Sequence, residues 1–205
     1  MEIPLANLLS TSDGDELYVE QIKHFLENRT IIFNQEMDDN VIENVVLYIL
    51  RWNGEDKGLP REARKSIKII FNSVGGDMYA GQALIDTIMA SETPVIGVGI
   101  GLVASAGYLC YLACHERVAM KNTVLLMHDG SVNISNSSQK AKDTMKFVDE
   151  MEARSKEFVL SRTEITDDFY TEKYGNEFYF YPAQGKELGV VHKIIGEDCT
   201  LDYIL

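Results

Sequence analysis

Apolar positions fall into runs whose period changes along the chain, and each period predicts an element. In residues 16–27, Tyr18, Ile22, Phe25 and Leu26 share one side of a helix. Residues 30–33 are β-branched and read as a short strand. Asp38 and Asp39 open a second helix carrying Val41, Ile42, Val45, Val46 and Ile49. Gly54, Gly58, Pro60 and interleaved charges make 53–64 a loop. Residues 67–71 predict a buried strand that breaks at Asn72-Ser73-Val74-Gly75-Gly76, after which Asp77 caps a helix with Ala80, Ala83, Leu84, Ile88 and Met89. Residues 95–100 form the next strand. A turn at Gly101 then leads into a small-residue helix starting near Ala104.

Strands follow at 117–120 and 123–127. The longest helix spans 139–162, with Ala141, Met145, Val148 and Met151 on one stripe, extended by Phe158 and Val159. Its Glu150/Arg154 and Glu152/Lys156 spacings suit i,i+4 ion pairs. Such a stripe serves a partner chain or the domain's own core. A short helix, an aromatic strand at 178–181 and a final strand at 190–195 complete the chain. Alternating strands and helices predict an α/β class with a mainly parallel sheet. Residues 1–15 read as a mobile N-terminal segment, and 16–205 as a single domain.

Composition narrows the partners. The chain has 205 residues, 45% hydrophobic and 25% charged, the balance of one ordinary globular domain. A net charge of −13 repels phosphate backbones and anionic lipid heads, so nucleic acid and membrane are not expected partners. Cys110, Cys114 and Cys199 have neither disulfide-framework nor metal-ligand spacing and read as core residues; no metal site is expected. The first residues lack a basic region followed by an apolar core, and no apolar run reaches about 18 residues. A cytoplasmic protein is expected.

Two glycine-rich turns, at 72–77 and 101–107, each join a strand to a helix. In the second, Ser105 stands among residues with almost no side chain, where a helix start offers free N–H groups to developing negative charge. A serine needs a base. Of His24, His115, His128 and His192, only His128 directly follows a predicted strand, with Asp129-Gly130 after it.

These pieces, in this order, resemble the Clp protease proteolytic (ClpP-like) family. That family carries Asn-Ser-Pro-Gly-Gly, then Gly-x-Ala-Ala-Ser-x-Gly, Met-x-His and Tyr-Gly-Leu-Val. Here the matching positions are Asn72-Ser73-Val74-Gly75-Gly76, Gly101-Leu102-Val103-Ala104-Ser105-Ala106-Gly107, Met127-His128 and Leu188-Gly189-Val190-Val191. The resemblance covers roughly residues 18–195. It implies the ClpP/crotonase-like fold of repeated β-β-α units, with flanking helices and one long protruding helix. It implies Ser105 as nucleophile, His128 as general base and acid, and an oxyanion hole from the N–H groups of Gly76 and Ala106. For the third triad position, counting back from Gly189 gives Glu177, with Asn176, Asp167 and Asp168 as alternatives. It further implies heptameric rings, paired through the long helix. A hexameric ATPase unfoldase would deliver unfolded polypeptides, and the chain itself would need no cofactor, ATP being used only by that partner.

The sequence departs from the family at Val74 (for proline), Asp129-Gly130 (for Gln-Pro), Asn176 (for arginine) and Ile70 (for tyrosine in the unfoldase-docking groove). Three readings follow: a serine endopeptidase, a catalytically silent ring scaffold, and a crotonase-type acyl-CoA enzyme.

Overall fold

The computed structural model describes residues 13–135 and 137–205, with side chains from Tyr18 onward. The expected mobile segment 1–15 lies mostly outside the described residues. Its end is helical, because α1 runs Asp13–Glu27. Then follow β1 (Thr30–Phe33), a π turn at Ile42–Val46 continuing into α2 (Leu47–Glu55), β2 (Ile67–Ser73), α3 (Met78–Ala90), β3 (Val95–Ala104) and α4 (Ser105–Ala113). The second half holds β4 (Glu116–Met120), β5 (Val124–Met127), α5 (Ser138–Arg162), α6 (Asp167–Tyr174), β6 (Phe178–Phe180), α7 (Pro182–Glu187) and β7 (Lys193–Ile195).

The sheet runs β1-β2-β3-β4-β7, all parallel, as the α/β reading requires. β3 also takes β5 as a parallel neighbour, and among the described residues only β5–β6 is antiparallel. On one face, β2 buries Ile67, Ile69 and Phe71 against α2, α3 and α4, each contributing about 1.5–3 kcal/mol by removal from water. The other face is smaller: Val98, Val118 and Ile195 pack under Ile204 of the tail. Asp77 caps α3 as expected, its carboxylate accepting from Ala80 N at 2.8 Å.

Several boundaries differ from the sequence pattern. α2 continues through Asn53, Gly54 and Glu55, so the loop starts later than the glycine suggested. The last strand is only Lys193–Ile195, because Val190 and Val191 belong to the turn after α7, where both N–H groups donate to Gly185 O. In α5, neither Glu150/Arg154 nor Glu152/Lys156 forms an ion pair; Lys156 reaches Asp167 instead, at 2.8 Å. Cys110 and Cys114 are buried and free, and Cys199 is half-buried.

The C-terminus of α4 is clamped by two arginines. Arg117, 3% exposed, donates to Leu112, Cys114, Arg162, Gly189 and Val190 carbonyls at 2.7–3.3 Å. Arg162 adds bonds to Leu112 and Cys114. These cations satisfy the orphan carbonyls and oppose the negative end of the helix dipole, so the helix that begins at Ser105 is fixed from behind.

His115 and His192 are structural. The Nδ1 of His115 accepts the Val95 N–H at 3.0 Å, and that of His192 accepts the Arg117 N–H at 3.2 Å. Burial lowers the pKa of each, helped by nearby arginines. An acceptor Nδ1 needs the neutral ring, so this stability is complete above the unfolded pKa of about 6.5 and is lost as pH falls below it. Urea midpoints are therefore expected to drop as the pH is lowered through and below about 6.5. In His115→Gln that drop should be smaller; an unchanged drop would remove His115 from this account.

Candidate active site

Both glycine turns lie at the carboxyl ends of neighbouring strands, where α/β sheets place their chemistry. After β2 the chain turns through Gly75 (φ 91°) and Gly76 (φ 141°), left-handed conformations that glycine adopts without strain. The space is as restrictive as the dihedrals. A Cβ on Gly75 would stand 2.5 Å from the Ser105 Cβ and 3.0 Å from the Ala106 nitrogen; one on Gly76 would meet the Met37 carbonyl. The turn is pinned by Met37 N–H to Gly75 O (2.7 Å), Asp77 N–H to Met37 O (2.8 Å) and Gly75 N–H to Ser73 Oγ (3.2 Å). Between these bonds, the Gly76 N–H donates to no protein acceptor among the described residues.

The second motif is a bulge followed by a helix start. β3 does not stop at Ile100 but resumes through Ala104, because Leu102, Val103 and Ala104 find new partners in β5. Ser105 then opens α4 with φ 54°. For a residue with a Cβ this conformation costs on the order of 1–3 kcal/mol, and such strain clusters at functional sites. Ala106 lies in the first helical turn, where N–H groups lack intrahelical acceptors. The geometry thus packs Ser105 and the Ala106 N–H against the Gly75–Gly76 turn.

His128 directly follows β5. The β3–β5 register pairs Ala104 with Leu126, so Ser105 and His128 leave neighbouring parallel strands at the same end. The Nε2 of His128 is buried and has no hydrogen-bond partner among the described residues. A buried nitrogen without a partner is uncommon. No hydrogen bond joins Ser105 to His128 in this arrangement; apo catalytic bonds are often long and tighten only with substrate.

The β5–β6 ladder ends on the Met127–Phe178 pair, so His128 and Glu177 flank the same end of it. The Glu177 carboxylate, however, accepts from the Tyr179 hydroxyl at 2.9 Å rather than from the imidazole. The alternatives are also engaged elsewhere. Asn176 Nδ2 donates to Glu172 O at 3.3 Å, Asp167 pairs with Lys156, and Asp168 sits in the first turn of α6. Sequence reasoning passed over two residues that shape the site: Gly75, which packs on Ser105, and Asn72, which holds the β3 bulge. Their signal was present in the Asn-Ser-x-Gly-Gly run, but the contacts that give it meaning are long-range.

Among the described residues, no group of His, Cys, Asp and Glu is placed to hold a metal ion, and no helix is long and apolar enough to cross a membrane.

The Clp protease family profile matches residues 13–198. The chain belongs to the Clp protease family. It is 25% identical over 195 residues to ATP-dependent Clp protease proteolytic subunit 2 of Treponema pallidum, covering 93% of this chain and 92% of that protein. It is 26% identical over 197 residues to ATP-dependent Clp protease proteolytic subunit 3 of Streptomyces avermitilis, covering 93% and 87%. A solved structure of a ClpP1 point mutant from Listeria monocytogenes superposes with a TM-score of 0.75 at 23% identity, over 90% of this chain and 99% of that one. Family and fold are therefore those read from the four motifs.

Proposed function

We propose that this Clp protease family chain is a serine endopeptidase subunit of a compartmentalised ring protease. The observation that carries this reading is the strained Ser105 at the head of α4, packed on the Gly75–Gly76 turn with free N–H groups on either side. Ser105 Oγ attacks a peptide carbonyl and passes its proton to His128. The N–H groups of Gly76 and Ala106 take up the charge on the tetrahedral oxygen, each worth about 10²–10³ in rate. The tetrahedral adduct collapses, His128 protonates the leaving amine, and water activated by the same imidazole hydrolyses the acyl ester. Glu177 orients the imidazole once its carboxylate turns from Tyr179 toward His128.

The assembly follows the same reading. α5 has 25 residues, about 38 Å, with only Val148 and Val159 buried and Met145 and Phe147 exposed. This helix pairs two heptameric rings whose chamber encloses the sites. Unfolded polypeptides enter from a hexameric ATPase, in keeping with the words "ATP-dependent" in the relatives' names. The chain needs no metal or cofactor of its own, and its setting is the cytoplasm.

A fluorophosphonate probe tests the reading. Wild-type protein is expected to gain one adduct, mapped by mass to the peptide holding Ser105, with slower labelling in Glu177→Ala. An unlabelled but assembled protein would favour the second reading, a catalytically silent ring subunit. That alternative draws support from the Glu177–Tyr179 bond, which leaves His128 without an orienting acid.

A further inference from the structure

We infer that Asn72 is a positioning residue that sets the Ser105 turn by plugging the bulge in β3; this rests on the peptidase reading above. The β2–β3 register pairs Phe71 with Gly99 and then Ser73 with Val103. Asn72 alone therefore stands opposite Ile100, Gly101 and Leu102. Such a bulge takes backbone groups out of the ladder and leaves them to be satisfied otherwise. The Asn72 side chain does this: its Oδ1 accepts the Leu102 N–H at 3.0 Å. Its Nδ2 donates to Asn34 Oδ1 at 2.7 Å, which fixes the amide's orientation from the end of β1.

Gly101 is the matching half of the device. Its φ is 56°, and a Cβ there would stand 2.5 Å from Asn72 Oδ1. Only a residue without a side chain lets the carboxamide reach Leu102. Downstream, Leu102, Val103 and Ala104 lead straight into Ser105. Upstream, Asn72 precedes Ser73, whose hydroxyl holds the Gly75 N–H. One carboxamide thus links the strand before the oxyanion turn to the strand before the nucleophile. The Asn72 carboxamide bonds neither Ser105 nor His128; it acts through the spacing of the two turns, where an error of about 1 Å costs on the order of 10²-fold in rate.

The test uses the full-length assembled protein and the fluorophosphonate probe. In Asn72→Ala the maximal labelling rate of Ser105 is expected to fall about 10- to 100-fold, with half-saturating probe concentration unchanged. Asn72→Asp keeps the acceptor for Leu102, and Asn34 can reverse its amide to donate, so labelling should return to within about threefold of wild type. Gly101→Ala, which displaces the carboxamide while leaving Asn72 in place, should reproduce the alanine defect. Backbone amide exchange supplies a readout independent of reactivity: protection over 100–106 should drop in Asn72→Ala, persist in Asn72→Asp, and leave β1 and β4 unaffected. Wild-type labelling speed in Asn72→Ala, or a uniform loss of protection across the sheet, would overturn the inference. If wild-type Ser105 does not label at all, the peptidase reading fails, while the exchange pattern still decides whether Asn72 holds the turn.

Discussion

His128→Ala is expected to lower peptide hydrolysis and fluorophosphonate labelling at least about 10⁴-fold while leaving the fold intact. A serine hydroxyl is a weak nucleophile until a base takes its proton, and no other histidine is free to do so. Nδ1 of His115 and of His192 is occupied by a backbone N–H, and His24 lies far back in α1. Stability should behave differently. The buried Nε2 makes no hydrogen bond, so truncating the ring removes an unsatisfied polar atom along with some packing. The urea midpoint is expected to stay near wild type. In the proposed mechanism Ser105 and His128 act as one unit, so the double variant should be no slower than either single one. Appreciable turnover in His128→Ala would require a different base and would dissolve the assignment.

Asp56→Ala is expected to cost about 3–5 kcal/mol of stability, the largest single effect outside the site. Asp56 is 4% exposed and takes both arms of the Arg29 guanidinium, at 2.6 and 2.9 Å, plus the Thr93 hydroxyl at 2.9 Å. The Arg29 hydrogen bonds hold its pKa below the usual carboxylate range against the opposing effect of burial. Removing the carboxylate leaves the largely buried Arg29 with only Glu55 at 3.4 Å and the Lys65 carbonyl at 3.0 Å, and leaves the buried Thr93 hydroxyl without its acceptor, which is why breaking such a pair costs more than forming it gains. Asp56→Asn, which keeps an acceptor for Thr93, should lose less. Urea unfolding of the assembled protein measures both; a loss under about 1 kcal/mol in Asp56→Ala would show that water reaches the pair. The network ties the starts of β1 and β3 to the end of α2, at the opposite end of the strands from Ser105. Labelling of the folded fraction should therefore be unaffected.

Most of the fold was legible because its elements are locally determined. The alternation in β2, the Asp77 cap and the long stripe of α5 each carry their own signal. What escaped depends on distant partners. Gly101 reads as the end of a strand until β5 is known to pair with Leu102, Val103 and Ala104. α7 has too little apolar periodicity to announce itself, with Pro182 at its start as the one cue. Of the ion pairs drawn along α5, that of Lys156 lost to Asp167, which no helical spacing could reveal. At the site, Ser105 and His128 stood out because their motifs are contiguous. The acid did not, because Glu177 flanks the same end of the β5–β6 ladder as His128 while Tyr179, two residues along the same face, claims its carboxylate.

β3 serves β4 with its first half and β5 with its second, and two residues of the bulge, Ile100 and Gly101, separate the two duties. The segment therefore works as a spacer. Substituting Ile100 changes packing locally, but deleting or inserting one residue there would slip Leu102–Ala104 by a full step against β5. Side chains now facing the core would turn outward, and Ser105 would arrive rotated to the wrong side of the sheet. Length, more than chemistry, is what this stretch must keep, so variation among functional descendants of this chain should show exchanges at 100 and 102 but no gaps.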